Sequence, residues 1–291
     1  MTAQARYDTL SSHRSQFLNL AEQATKLTLP YLIRGEEEHN GGAKDLITPW
    51  QSVGAKGVVT LASKLMLALL PPQTSFFKLQ LDDNSLQGQV PPEMRSELDL
   101  SFAKIERTIL EAIAASSDRV IVHQALKHLI VSGNVLVFMG EAGLKMFPLN
   151  RYVLERDGNG NVIEIVTKER INKNLIEDIV PEDFFMEQEP EVTDDDSHVD
   201  REEVDIYTHC TRVKDRYEWH QEVYDKIIPG SNGKAPANAT PWLPLRFNSV
   251  DGEPYGRGRV EEFMGDLKSL EALMQALVEG SAAAAKVVFT V

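Results

Sequence analysis

The sequence predicts an α+β fold. Three observations carry this: helix-period apolar blocks over the first 130 residues, short alternating runs separated by turn residues over 134–247, and one long apolar stripe from Val260 to Val278. At 291 residues with 42% hydrophobic content, the chain is long enough for one large or two ordinary domains with a substantial core.

The first helix is expected over 2–29. Phe17, Leu18, Leu20, Ala21, Ala24 and Leu27 recur at helical spacing, and Pro30 stops the run. Residues 34–45 read as an exposed loop. A second helix is expected over 49–70, with Thr48 as cap, Pro49 in the first turn and Pro71-Pro72 as the stop. Its Val53, Val58, Leu61, Leu65, Met66 and Leu69 share helical spacing and are expected to be buried. Phe76–Leu81 reads as a strand. Pro91-Pro92 opens a helix over 92–115. Ser117 or Asp118 caps another over 119–132, which ends at Gly133.

The β-rich part follows. Val135–Met139 and Leu144–Phe147 form a hairpin across Gly140–Gly143. Tyr152–Arg156 and Val162–Thr167 flank Asp157-Gly-Asn-Gly-Asn, a strong turn signal. Residues 171–180 read as a short helix and 186–201 as an acidic surface loop. Val204–Val213 alternates as a strand should, with Tyr217–Tyr224 as its hairpin partner. Ser231–Pro241 reads as a loop. Leu243–Phe247 is a last short strand, which Pro244 confines to an edge. The long helix then follows Tyr255–Arg259 and runs to about Ala285, roughly 27 residues and about 40 Å at 1.5 Å per residue. Its large side chains give way to Ala282–Ala285, and Lys286–Val291 is a β-like run.

Charge is uneven. The net charge is −14, and residues 177–205 hold 14 acidic side chains against Arg201 alone, so nearly all the excess lies in that segment. No basic stripe of the kind that clamps DNA phosphates is visible. The single cysteine, Cys210, excludes an intramolecular disulfide framework and suits a reducing cytoplasm. The polar N-terminus lacks a signal peptide. The most apolar run, Val58–Leu70, contains Lys64 and is shorter than the roughly 20 residues of a membrane span.

No catalytic constellation emerges. Asp157-Gly-Asn-Gly-Asn starts like a calcium loop, but its sixth position is Val162 and its twelfth is Lys168, so a hairpin turn is the better reading. His123 and His128 lie five apart, not at the spacing of a zinc helix. Asp194–Asp196 with His198 reads as a solvated loop rather than a metal site. Gly256-Arg-Gly-Arg lacks the third glycine of a dinucleotide fingerprint, and Gly230-Ser-Asn-Gly-Lys-Ala departs from the phosphate-loop pattern. His209 and Cys210 are strand neighbours pointing to opposite faces, so they do not form a nucleophile–base pair. No catalytic residue, cofactor or metal is assigned.

Several blocks carry a resemblance. They are Thr48-Pro-Trp-Gln-Ser-Val-Gly-Ala-Lys-Gly with Leu61-Ala-Ser-Lys-Leu-Met-Leu-Ala-Leu; Ala125-Leu-Lys-His-Leu-Ile-Val-Ser-Gly-Asn-Val-Leu; Tyr152-Val-Leu-Glu-Arg-Asp-Gly-Asn-Gly-Asn-Val; Asp205-Ile-Tyr-Thr-His; and Asp251-Gly-Glu-Pro-Tyr-Gly-Arg-Gly-Arg-Val-Glu-Glu-Phe-Met-Gly-Asp-Leu-Lys-Ser-Leu-Glu. In order and spacing they resemble the portal (head-to-tail connector) proteins of short-tailed autographivirus-type podophages. Residues 172–203 do not match clearly.

The resemblance implies a portal-type subunit with a mixed helix/sheet wing over 1–255, a first stem helix over 256–285 and the start of a clip at 286–291. The chain then corresponds to the N-terminal part of a longer family chain. Family members are structural ring-forming proteins of the virion, usually with twelve subunits, at the capsid portal vertex, and they assemble in the host cytoplasm. Their channel passes double-stranded genomic DNA, without sequence specificity, during packaging and ejection. Their partners are the terminase motor, tail adaptor and nozzle proteins, and capsid and scaffolding proteins. On this reading Phe263, Leu267, Leu270, Leu273 and Leu277 lie at the subunit interface, and Arg257, Arg259 and Lys268 face the channel. The alternatives are a phage adaptor or interaction module, and a metal-dependent nuclease using the 194–205 carboxylates.

Overall fold

The computed structural model describes residues 1–33, 47–72, 74–80, 92–172, 176, 180 and 203–285. Six helices and nine strands are assigned among them. The helices are α1 (Ala3–Lys26), α2 (Val53–Leu69), α3 (Pro92–Ala115), α4 (Asp118–Ser132), α5 (Arg259–Glu262) and α6 (Met264–Ala285). The strands are β1 (Asn134–Gly140), β2 (Gly143–Phe147), β3 (Tyr152–Arg156), β4 (Val162–Asn172), β5 (Glu203–Val213), β6 (Arg216–Val223), β7 (Lys226–Ile227), β8 (Gly233–Pro236) and β9 (Trp242–Arg246). The α+β class is as the sequence predicts.

Two antiparallel sheets form. The smaller runs β2-β1-β9, which puts Pro244 on an edge strand, opposite Leu136. The larger runs β3-β4-β5-β6, and β6 then pairs with both β7 and β8. The β3–β4 turn forms because Asp157 Oδ1 accepts the Asn159 and Asn161 backbone N–H groups at 2.9 and 2.7 Å, while Oδ2 accepts the Asn161 amide.

Two main clusters make the core. In the first, Leu27, Leu29, Val58, Ala62, Met66, Leu126, Leu129, Ile130, Val135 and Val260 bring α1, α2, α4, β1 and α5 together. In the second, Leu136, Phe147, Tyr152, Leu154, Ile165, Cys210, Tyr217, Trp242 and Tyr255 fill the space between the sheets. The other face of the large sheet is covered by α1, through Ala3, Tyr7 and Leu10 against Val153, Val166 and Tyr207.

Six sequence expectations need correction. The second helix starts at Val53, not 49, because other groups take the N–H donors before it. Glu271 accepts the N–H groups of Trp50 and Gln51, and Gln51 Oε1 caps Gly54 N–H at 2.9 Å. Thr48 and Pro49 therefore lie outside the helix. Its apolar face is also narrower than expected: Val53 and Leu69 are 59% and 53% exposed. Residues 74–80 form no strand and have no ladder partner among the described residues, and the Leu79 N–H goes to Glu106 Oε1 instead; Leu81 lies outside the described residues.

Ile171 and Asn172 belong to β4, extended by pairing with Val204 and Glu203. Ile176 is helical and its carbonyl accepts the Val180 N–H; residues 173–175 and 177–179 of the expected 171–180 helix lie outside the described residues. The 231–241 segment is not all loop, since β8 pairs with β6 in the register Trp219 to Gly233. The terminal helix is interrupted at Phe263 (φ −109°), whose N–H turns back to the Val260 carbonyl. The 34–45 loop, the 186–201 acidic loop and the 286–291 run lie outside the described residues.

Candidate functional site

The site builds from the place where two of the sequence blocks meet. α4 ends at Gly133, whose left-handed conformation (φ 75°) lets its N–H close on the Leu129 carbonyl. A Cβ there would lie 2.4 Å from the Arg257 carbonyl carbon, so the glycine is needed twice over. Asn134 follows. Its amide accepts the Gly256 N–H at 2.6 Å and donates to the Gly256 carbonyl at 2.7 Å, both buried. Phe247 N–H adds a bond to the Gly133 carbonyl, and Asn248 pairs with Arg257 in both directions. Tyr255 fills the gap between the sheets, and its hydroxyl accepts the Leu154 N–H. This junction fixes where the chain leaves the body and enters α5 and α6.

Arg257 stands at the exit. It donates to the carboxylates of Glu253 and Glu261 and lies over the Phe17 ring. The Glu253 hydrogen bond above all raises the guanidinium above its ordinary range. Arg259 pairs with Glu262 at 2.5 Å and covers Phe263. Lys268 donates to Gln23 Oε1 on α1 at 2.9 Å, and Glu271 holds the segment before α2. The first two turns of α6 are therefore fastened to the body.

Beyond them the helix is largely exposed. Leu267 packs on the first core cluster and Leu270 is half-buried. Phe263 is exposed, Leu273 and Leu277 are 68% and 65% exposed, and every residue from 275 to 285 is exposed.

Sequence reasoning missed a polar network on the α1 face of the large sheet. Arg6 of α1 ion-pairs with Glu155 and, at 2.7 Å, with Glu164. His209 Nε2 lies 2.6 Å from the other Glu164 oxygen. Its ring meets that of His220, which pairs with Glu222 at 2.8 Å; Glu222 also accepts the Ala3 N–H at the start of α1. Burial works against the Glu164 charge, but the bonds from Arg6 and His209 outweigh it and hold that carboxyl below its usual range.

The network ties α1 to four strands. Among the described residues no group of three His, Cys, Asp or Glu side chains is placed to hold a metal ion. Cys210 faces the opposite side of the sheet from His209, and burial pushes its thiol up to about 12. Of the two α4 histidines, His128 is buried and His123 lies 3.5 Å from Ser63 Oγ. No described helix is long and apolar enough to cross a membrane.

The profile of the family described as "Bacteriophage head to tail connecting protein" matches residues 1–291. The chain belongs to the phage head-to-tail connecting protein family. The portal protein of Enterobacteria phage T3 is 37% identical over 98% of this chain and 53% of its own length. That of Escherichia phage T7 is 35% identical over the same shares. That of Pseudomonas phage phiKMV is 29% identical over 88% of this chain and 50% of its own. The chain thus spans about half the length of these relatives. In this head-to-tail connecting protein, the Gly133-Asn134 and Tyr255–Arg259 blocks that carried the resemblance are the ones that lock together to launch the terminal helix.

Proposed function

We propose that this chain acts as part of a portal subunit in a ring at the capsid vertex, through which genomic DNA is packaged and ejected. The ring docks the packaging motor and tail proteins. The chain's role is structural rather than catalytic. The observation that carries this reading is the second half of α6, which leaves the body with Leu273, Leu277 and Val278 bare. Apolar side chains held in water along one helix are covered when copies of that helix pack side by side.

Phe263, Leu273 and Leu277 would form the subunit contact, with Leu267 and Leu270 at the base of the helix where it meets the body. Arg259 and Lys268 remain candidates for the channel side. Arg257 is less suited, because two carboxylates of its own chain already surround it. The test is negative-stain imaging with mass measurement. Closed rings of the isolated chain support the proposal. Binding only to preformed rings of another protein would make it an adaptor. Metal-dependent DNA cleavage would overturn the structural role.

A further inference from the structure

Two arginines converge on the β3–β4 turn, beside the junction. Arg156, at the end of β3, donates three hydrogen bonds, all to backbone carbonyls: Pro254 and Gly160 at 2.9 Å and Pro244 at 3.1 Å. Arg246, at the end of β9, donates Nη1 to the Glu253 carbonyl at 3.1 Å. Its Nη2 reaches the same turn, lying 3.3 Å from where a Cβ on Gly160 would sit.

Both side chains are half-buried, and neither has a carboxylate within 4 Å among the described residues. The nearby carboxylates are engaged elsewhere. Glu155 is on Arg6, Glu253 is on Arg257, and Asp157 is wrapped by its own turn. Burial first, and then the neighbouring Arg246 charge, lower the Arg156 guanidinium from its ordinary range. Arg212 on β5 adds a third cation near Asp157, whose carboxyl is held below its usual range chiefly by Asn161 and in part by Arg212.

Like charges gathered at a half-dry surface without a counter-ion are unfavourable by themselves. Arginine's planar fork suits oxyanions, and Arg246 Nη2, which makes no hydrogen bond among the described residues, lies beside the same turn that Arg156 braces.

We propose that Arg246 and Arg156 form a binding site for a phosphate oxyanion, either free phosphate or one group of a phosphodiester backbone. The site is local: it sits in a chain of net charge −14, so it relies on the two guanidiniums rather than on long-range attraction. It does not depend on the portal reading.

The test uses the 291-residue chain in low-salt buffer. Inorganic phosphate is titrated by calorimetry, and a fluorescently labelled DNA duplex is titrated by anisotropy. Arg246→Gln is the variant of choice, because it removes one hydrogen bond to the fold, whereas Arg156→Gln removes three. Circular dichroism checks that the variant is folded, and Arg246→Lys keeps the charge without the fork.

Saturable phosphate binding is expected in the wild type, weakened about tenfold or more by Arg246→Gln and less by Arg246→Lys. If Arg246→Gln also weakens duplex binding and phosphate competes with the duplex, the source is a phosphodiester backbone. If duplex binding is absent or unchanged, it is free phosphate. No saturable phosphate binding by the wild type, or equal affinity in a folded Arg246→Gln variant, overturns the site.

Discussion

Asn134 and Gly256 lie 122 residues apart and hold each other by two buried hydrogen bonds, 2.6 and 2.7 Å long, in which one side-chain amide satisfies both backbone groups of the glycine. The pairing is what an asparagine side chain does best, presenting a donor and an acceptor side by side like a backbone peptide. It joins the end of α4 to the start of the terminal helices, so the direction of α6 depends on it.

Asn134→Ala is therefore expected to destabilise the chain by about 2–4 kcal/mol, because it leaves a buried N–H and a buried carbonyl without partners. Urea unfolding measures this. Asn134→Asp keeps the acceptor but loses the donor and buries a charge, so it should not rescue. A loss below about 0.5 kcal/mol in Asn134→Ala would mean that water replaces the amide.

On α2, neighbouring residues should behave oppositely. Met66 is 8% exposed within the first core cluster, whereas Leu67 is 60% exposed. Met66→Ala should cost about 2–5 kcal/mol, and Leu67→Ala should stay within about 0.5 kcal/mol. Thermal or urea unfolding of the two variants side by side checks the orientation of the helix.

Much of the fold was legible where local signals were strong. Pro91-Pro92 and Gly133 bracket α3 and α4 to within a residue or so, and the hairpins at 140–143 and 157–161 have their own turn chemistry. Long-range contacts were not legible. α2 starts late because Glu271, more than 200 residues on, takes the donors of Trp50 and Gln51. β8 is composed like a loop and becomes a strand only because β6 offers an edge. The Arg6–Glu164–His209 network depends on strand register and on α1 docking across it, which neither charge nor spacing reveals. Arg14, buried and donating to the Leu149 and Tyr152 carbonyls, breaks the expectation that arginines lie outside.

His128 should make stability depend on pH. It is buried, its Nδ1 has no hydrogen-bond partner among the described residues, and burial pushes it down to about 4, with the Lys127 charge adding to the effect. The unfolded chain takes up this proton near pH 6.5, while the folded chain resists until about 4. Between those values the unfolded state binds more protons, so stability is present above pH 6.5 and is lost as pH falls. The loss from this group between pH 7 and 5 is about 2 kcal/mol. His128→Leu should flatten that part of the urea midpoint curve. An unchanged slope would show that other groups produce it.

Cys210 should be silent in the folded chain. A thiol pushed up to about 12 and packed between the sheets has almost no thiolate at pH 8. Ellman's reagent should label it only after denaturant is added. Prompt labelling of the native chain would mean that the cluster around Ile165 and Tyr217 opens readily.

The last prediction separates assembly from folding. Leu270 is half-buried near the base of α6, so replacing it perturbs the body as well as any neighbour. Leu273 and Leu277 are one helical turn apart, both bare, and touch little of their own chain. Replacing both with Asp should leave circular dichroism and the unfolding midpoint nearly unchanged. If copies of α6 pack together, the same substitutions place two charges per copy inside each contact, where burial without a partner is strongly unfavourable. The double variant should then run as single chains in size-exclusion mass measurement under conditions where the wild type forms rings. Leu273→Met with Leu277→Met keeps the apolar surface and should still assemble. Rings formed by the Asp variant would show that the helix is not a principal contact, and the stem assignment would have to be abandoned.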